Sequence, residues 1–148
     1  MSEEPEMEVL TLFIGDRRCA VPFTVVLSIG PYAKPTRMPA APQPIRGLLS
    51  RAGEAVPLID VGVPFGIGEM GAVNDRTRII YLQSASSRCI GLLATGIEQL
   101  TTAEPRAAAS TSIPSEFVSG VIDVDGAEVP LLDVQQIANV CVYGGSTS

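Results

Sequence analysis

Apolar residues in this chain gather in short runs broken by Gly, Pro, Ser and charged residues, and a helical period is rare among them. Runs of that kind, bounded by turn formers, read as strands. The clearest unit spans residues 46–61, RGLLSRAGEAVPLIDV: an apolar run, a tight turn and a second apolar run. It returns without a gap over residues 119–134, SGVIDVDGAEVPLLDV. Gly47 and Gly120 coincide, as do Gly53 and Gly126, Val56 and Val129, Pro57 and Pro130, Leu58 and Leu131, Asp60 and Asp133, and Val61 and Val134. Self-similarity of this density predicts two halves that fold alike.

Each copy predicts a hairpin. Asp125-Gly126 suits a type I′ turn, which needs positive φ at both central residues, and Ala52-Gly53 is its weaker counterpart. Pro57 and Pro130 have no N–H for a ladder, so they are expected on an edge strand or at a bulge. Asp60 and Asp133 follow directly and are expected to cap short helical turns. A fainter echo lies upstream, where a hairpin of Leu10–Ile14 with Cys19–Phe23 matches one of Ile79–Gln83 with Cys89–Ala94. Each half then reads hairpin, connecting strand, hairpin.

Between these units, Pro31, Pro35, Pro39, Pro42 and Pro44 force an extended or turning path, with room for a strand at Thr36–Met38. Gly62–Gly71 reads as a helical turn and loop, and the small, alanine-rich stretch from Arg106 to Pro114 as the most mobile loop. Val134, Ile137, Ala138 and Val140 form the stripe of a short C-terminal helix. The fold class is all-β: two similar five-stranded barrels, SH3-like or OB-like, one from each half, packed on their outer apolar residues. Residues 8–141 form this single domain, with flexible tails at 1–7 and 142–148, and the groove between the barrels is the expected binding surface.

Composition narrows the chemistry. With 148 residues, 46% hydrophobic and 18% charged, the chain has ample apolar material for a core, or for a core plus a protein-binding patch. The net charge is −6 and the basic residues are scattered, so nucleic acid is not an expected partner. The acidic start of the chain is no signal peptide, and no apolar run reaches the roughly 18 residues of a membrane span, so a cytoplasmic protein with no membrane insertion is expected. Cys19, Cys89 and Cys141 are widely spaced and read as buried free thiols of a reducing compartment. There is no histidine, which removes Cys-His and Ser-His nucleophiles and most zinc sites. Asp123, Asp125 and Glu128 read as solvated turn residues, and Gly66, Gly68 and Gly71 lack the context of a nucleotide loop. No catalytic residue, metal or cofactor is expected, which leaves a protein-interaction adaptor.

The order of the pieces resembles the CheW-like domain of bacterial chemosensory systems. The resemblance rests on the proline-rich approach Met38 to Pro42, on Ile45 to Leu49, on Gly53 and on Val56 to Asp60. Leu12 to Gly15, Ala20 to Pro22, Gly91 to Leu93 and Phe117 to Val121 add to it. It implies two intertwined five-stranded barrels in a non-enzymatic adaptor. Such an adaptor would join a chemosensory histidine kinase, through the kinase's own CheW-like regulatory domain, to the signalling tip of a methyl-accepting chemoreceptor. Members of the family carry an arginine immediately before the turn glycine, where this chain has Ala52 with Arg51 one place early. A shift of one residue on a strand sends the side chain to the opposite face. Ser28 and Thr95 stand where acidic residues are common in the family. These departures predict a divergent or accessory adaptor with altered receptor binding. The candidate contact residues are Ile29, Tyr32, Arg46, Leu49 and Arg51; Gly47, Gly53, Pro57, Gly120, Gly126 and Pro130 are assigned to turns and edges. The alternative is a β-barrel sensor module that holds an apolar small molecule between its halves.

Overall fold

A computed structural model describes residues 6–68, 70, 72–85, 88–107 and 111–142. Ten strands and one helix follow in order: β1 (Met7–Ile14), β2 (Arg17–Pro22), β3 (Val26–Pro31), β4 (Ile45–Arg51), β5 (Glu54–Ile59), β6 (Arg78–Gln83), β7 (Cys89–Ala94), β8 (Gly96–Ala103), β9 (Val118–Val124), β10 (Ala127–Leu132) and α1 (Val134–Cys141). The connecting strands of the two halves are β3 and β8; Thr36, where a strand was expected, makes an isolated bridge. Both repeat hairpins turn on left-handed pairs, Ala52 (φ 51°) with Gly53 (φ 83°) and Asp125 (φ 53°) with Gly126 (φ 83°). Positive φ at both positions is the type I′ geometry, which matches the twist of the flanking strands.

The strands form two sheets, ordered β8-β1-β2-β10-β9 and β3-β6-β7-β5-β4. These are not the two sequence halves. The hairpin β1–β2 of the first repeat sits in the sheet of the second repeat's β8, β9 and β10, and β6–β7 sits with β3, β4 and β5. The exchange runs through short parallel pairings, Leu131 beside Ala20 and Leu58–Ile59 beside Gly91–Leu92. A turn at Phe23–Val25 carries the chain from β2 into the other sheet, and Thr95 alone separates β7 from β8. We call the sheet holding β1 the first barrel and the sheet holding β3 the second.

Both sheets are joined into rings by the same device. Thr36 and Leu48 exchange two backbone hydrogen bonds of 2.8 Å in the second barrel, and Arg106 and Val121 exchange bonds of 2.9 and 2.8 Å in the first. The crossing chain passes over the repeated glycine. A Cβ on Gly47 would stand 2.4 Å from the Thr36 carbonyl oxygen, and one on Gly120 would stand 2.7 Å from that of Arg106. Contacts that short exclude any side chain, which explains why both copies carry glycine there.

The bridges also correct the placement of the prolines. Pro57 and Pro130 lie in β5 and β10, interior strands of their sheets, paired across the hairpins with Leu48 and Val121. Those partners commit both backbone groups to the bridges, so neither proline is asked for an N–H by its hairpin. The parallel pairings on the other side include Leu58 and Leu131, one residue further on. A proline is tolerated at this point although the strand is internal.

Three apolar clusters hold the molecule. Val9, Ala20, Ile122, Val124, Val129 and Leu131 fill the first barrel, and Leu49, Val56, Leu58, Ile79 and Leu93 fill the second. The largest cluster lies between the barrels, where Leu10, Leu12 and Ile14 of β1 meet Ile80 and Leu82 of β6 and Ile90 and Leu92 of β7, with Ile137 and Ala138 of α1. Full burial of each such Leu or Ile contributes about 1.5–3 kcal/mol. Most of the expected groove between the barrels is therefore occupied by core. Phe65 and Phe117 extend it, their ring centroids 5.2 Å apart.

The loops differ from expectation in one respect. Arg106 is fixed by its bridge and by ion pairs to Asp123 and Glu128 at 2.9 and 2.8 Å, so these acidic turn residues are exposed but partnered. Residues 108–110 of the expected mobile loop, residues 86–87 of the β6–β7 turn, Gly71, and most of both expected tails lie outside the described residues. The helical turn after β5 is present, closed by Phe65 N–H donating to the Val61 carbonyl at 2.9 Å.

Candidate functional site

The repeated aspartates do structural work at both positions. Asp133 accepts from the Gln136 N–H at 3.0 Å and caps α1. Asp60 is 4% exposed and accepts from the Gly62 N–H at 2.9 Å, the Met70 N–H at 3.3 Å and the Arg46 guanidinium at 2.5 and 3.1 Å. These bonds satisfy the buried carboxylate within the chain and tie the turn after β5 to β4. Among the described residues no group of three Cys, Asp or Glu side chains could hold a metal ion. Burial pushes the Cys19 thiol up to about 12 and that of Cys141 up to about 11, so both are protonated and inert at neutral pH. Cys89 is half-buried and also raised by desolvation, with the Arg51 charge opposing and Glu54 reinforcing the shift.

The five candidate contact residues separate once placed. Ile29 is 40% exposed on β3, and Leu27, two residues earlier on the same strand, is equally exposed. Tyr32 packs half-buried against the interior of the second barrel. Arg46 is committed to Asp60. Leu49 is 6% exposed inside the second barrel and is core, which corrects its expected place on the surface. Burial alternates along β4, and the closed barrel takes the face that carries Ile45, Gly47 and Leu49.

Arg51 lies at the end of β4, its guanidinium 5.4 Å from the Tyr81 ring centroid and its Nε–H donating to the Ser28 hydroxyl at 3.3 Å. Ser28 and Tyr81 are cross-strand partners on β3 and β6. The arginine thus closes the mouth of the second barrel by stacking on an aromatic face and bonding across to β3. Ala52, one residue on, is exposed in the turn.

Two features escaped the sequence reading. Leu27 is one, although the apolar residues on both faces of Val26-Leu27-Ser28-Ile29 announce that one of them lacks a core. The other is the make-up of the open cleft where the barrels meet, at one end of the expected groove, lined by Phe13, Thr95, Ile97, Asp75, Arg76 and Arg78. The last residue of β3, Pro31, is the cross-strand partner of Arg78, so the exposed β3 residues lead towards this cleft. No single stretch of sequence signals it, because it is assembled from β1, β6 and the β7–β8 junction.

Comparison with known proteins decides the family. The model of the CheW-like domain matches residues 8–141. The chain belongs to the CheW-like domain family. Its CheW relatives include the chemotaxis protein CheW of Rhizobium meliloti, 24% identical over 136 residues that cover 88% of this chain and 86% of the relative. The chemotaxis protein CheW of Klebsiella aerogenes is 23% identical over 135 residues, covering 88% and 80% of the two chains. Among solved structures, the CheW scaffolding protein of Thermoanaerobacter tengcongensis superposes with a TM-score of 0.81 at 20% identity, over 96% of this chain and 92% of that one. The fold of two five-stranded barrels with a short C-terminal helix is therefore the CheW fold. No helix among the described residues is long and apolar enough to cross a membrane.

Proposed function

We propose that this CheW-like chain is a cytoplasmic, non-enzymatic adaptor that binds the CheW-like regulatory domain of a chemosensory histidine kinase, and that its contact with a methyl-accepting receptor tip is altered. The observation that carries the reading is the surface of the second barrel. Leu27 and Ile29 expose apolar side chains on β3, whose last residue pairs with Arg78 of a cleft lined by apolar residues, two arginines and Asp75, while Arg51 is stacked on Tyr81 at the barrel mouth. Exposed aliphatic residues beside a polar rim are the anatomy of a protein contact. Most of the space between the barrels is filled by buried side chains, and no observation favours the alternative of a small-molecule sensor.

The test is titration of the purified chain against the kinase regulatory domain and against a receptor tip. The kinase domain binds the native chain, and Leu27→Asp with Ile29→Asp weakens binding to at least one of the two proteins by about tenfold or more. Ala52→Arg, which restores the family's arginine at the turn, strengthens the receptor interaction. Binding to neither protein would sink the proposal.

A further inference from the structure

In the first barrel the bridging residue itself carries exposed ion pairs, whereas in the second the Arg46–Asp60 pair beside the bridge ties β4 to the turn after β5 and has its carboxylate buried. Asp123 and Glu128 are direct cross-strand partners on the β9–β10 hairpin, and like charges in that arrangement repel. One guanidinium nitrogen of Arg106 reaches both carboxylates, at 2.9 and 2.8 Å, from the residue whose backbone makes the closing bridge to Val121. All three side chains are 46–65% exposed, so the solvent's ions reach them. In the second barrel the corresponding hairpin pair is Ser50 with Ala55, and the bridge is made by Thr36.

We propose that Arg106 with Asp123 and Glu128 is an electrostatic latch on the closing strand of the first barrel. It holds the 104–107 segment against β9, and it loosens with ionic strength while the second barrel's closure does not. The two closures are otherwise alike in backbone geometry, each with a reciprocal pair of hydrogen bonds over a glycine. The charges are thus the main difference that salt can act on. Opening of the latch would uncover the β9 edge at Val121, whose N–H and C=O are the groups that Arg106 satisfies. This inference is independent of the adaptor reading.

Amide hydrogen exchange read by NMR tests it, because each closing bridge has its own reporter, the Val121 N–H in one barrel and the Leu48 N–H in the other. Between about 10 mM and 1 M sodium chloride the screening length falls from about 30 Å to about 3 Å. Val121 exchange accelerates about fivefold across that range, as expected for loss of exposed ion pairs, while Leu48 changes by less than about twofold. Arg106→Gln leaves the two carboxylates facing each other unneutralised, so the response reverses and salt slows exchange at Val121. The double variant Asp123→Asn with Glu128→Gln abolishes the salt response without removing the arginine. A native Val121 that tracks Leu48, or an Arg106→Gln chain that keeps the native direction of response, overturns the proposal.

Discussion

The two barrels share a plan and a repeated hairpin, yet they are finished in opposite ways. The mouth of the first is sealed by a polar network. Arg18 donates to Glu98 at 2.7 Å, Glu98 accepts from the buried Thr11 hydroxyl at 2.8 Å, and Gln99 donates to Asp125 at 3.2 Å. The Arg18 and Thr11 bonds hold the Glu98 carboxyl below the usual carboxylate range, against a smaller opposing effect of desolvation. The second barrel is stopped by one arginine stacked on a tyrosine, and next to it Leu27 and Ile29 face solvent. The difference teaches that the repeat sets the scaffold while side chains outside it decide which barrel offers a surface. The first joins its polar groups to one another and exposes Leu100 alone on β8, whereas the second exposes Leu27 and Ile29 together on one strand.

The comparison breaks most severely if the exchange of hairpins is wrong. Expressed separately, residues 1–68 and 72–148 are each expected to be unfolded, because every barrel needs strands from both. Mixed together, they should regain the β-sheet circular dichroism of the whole chain. A folded half on its own would show that the repeat unit closes by itself.

The repeated aspartates sharpen it next. Asp60→Ala removes the acceptor of the Gly62 and Met70 N–H groups and one ion-pair partner of the partly exposed Arg46 and should cost about 2–3 kcal/mol, discounted for solvent around Arg46. Asp133→Ala removes a helix cap and should cost about 1 kcal/mol. Urea denaturation of the two variants gives the ranking, and equal costs would mean the positions are equivalent after all. Gly47→Ala and Gly120→Ala should each cost about 1–3 kcal/mol by forcing the closing strands outward. Gly47 should cost more, because its φ of 149° adds backbone strain. The smallest effect concerns thiols. Cys89 should be alkylated by a maleimide in the native chain, while Cys19 and Cys141 react only on unfolding. The raised Cys19 thiol also predicts a pH effect. The folded state keeps its proton from the ordinary value of 9.0 up to about 12, so stability is full below pH 9 and falls across that window. Cys19→Ala should reduce that alkaline loss.

Much of this was legible because it is local. Gly53 and Gly126 mark turns by their need for positive φ, and Asp133 announces a helix start, so hairpins and α1 are found from neighbours in sequence. The face of Arg51 follows from the two-residue period of a strand. The exchange of hairpins was implied only by the family resemblance, since it depends on pairings such as Leu131 with Ala20 that no short-range pattern encodes. Leu49 proves to be core because it shares the inward face of β4 with Ile45 and Gly47, and only barrel closure, a long-range event, fixes which face that is. Arg106 was hidden beside an alanine-rich loop, because its partners Asp123 and Glu128 come from the far hairpin.

The central claim is that the second barrel carries the partner surface. Hydrogen exchange of the intact chain, measured alone and then with the kinase regulatory domain and the receptor tip in turn, tests it most directly. The account predicts that at least one partner slows exchange at Val26–Pro31 and around Arg78, leaving the Asp123–Glu128 hairpin of the first barrel unchanged. Protection confined to the first barrel, or none with either partner, would contradict it.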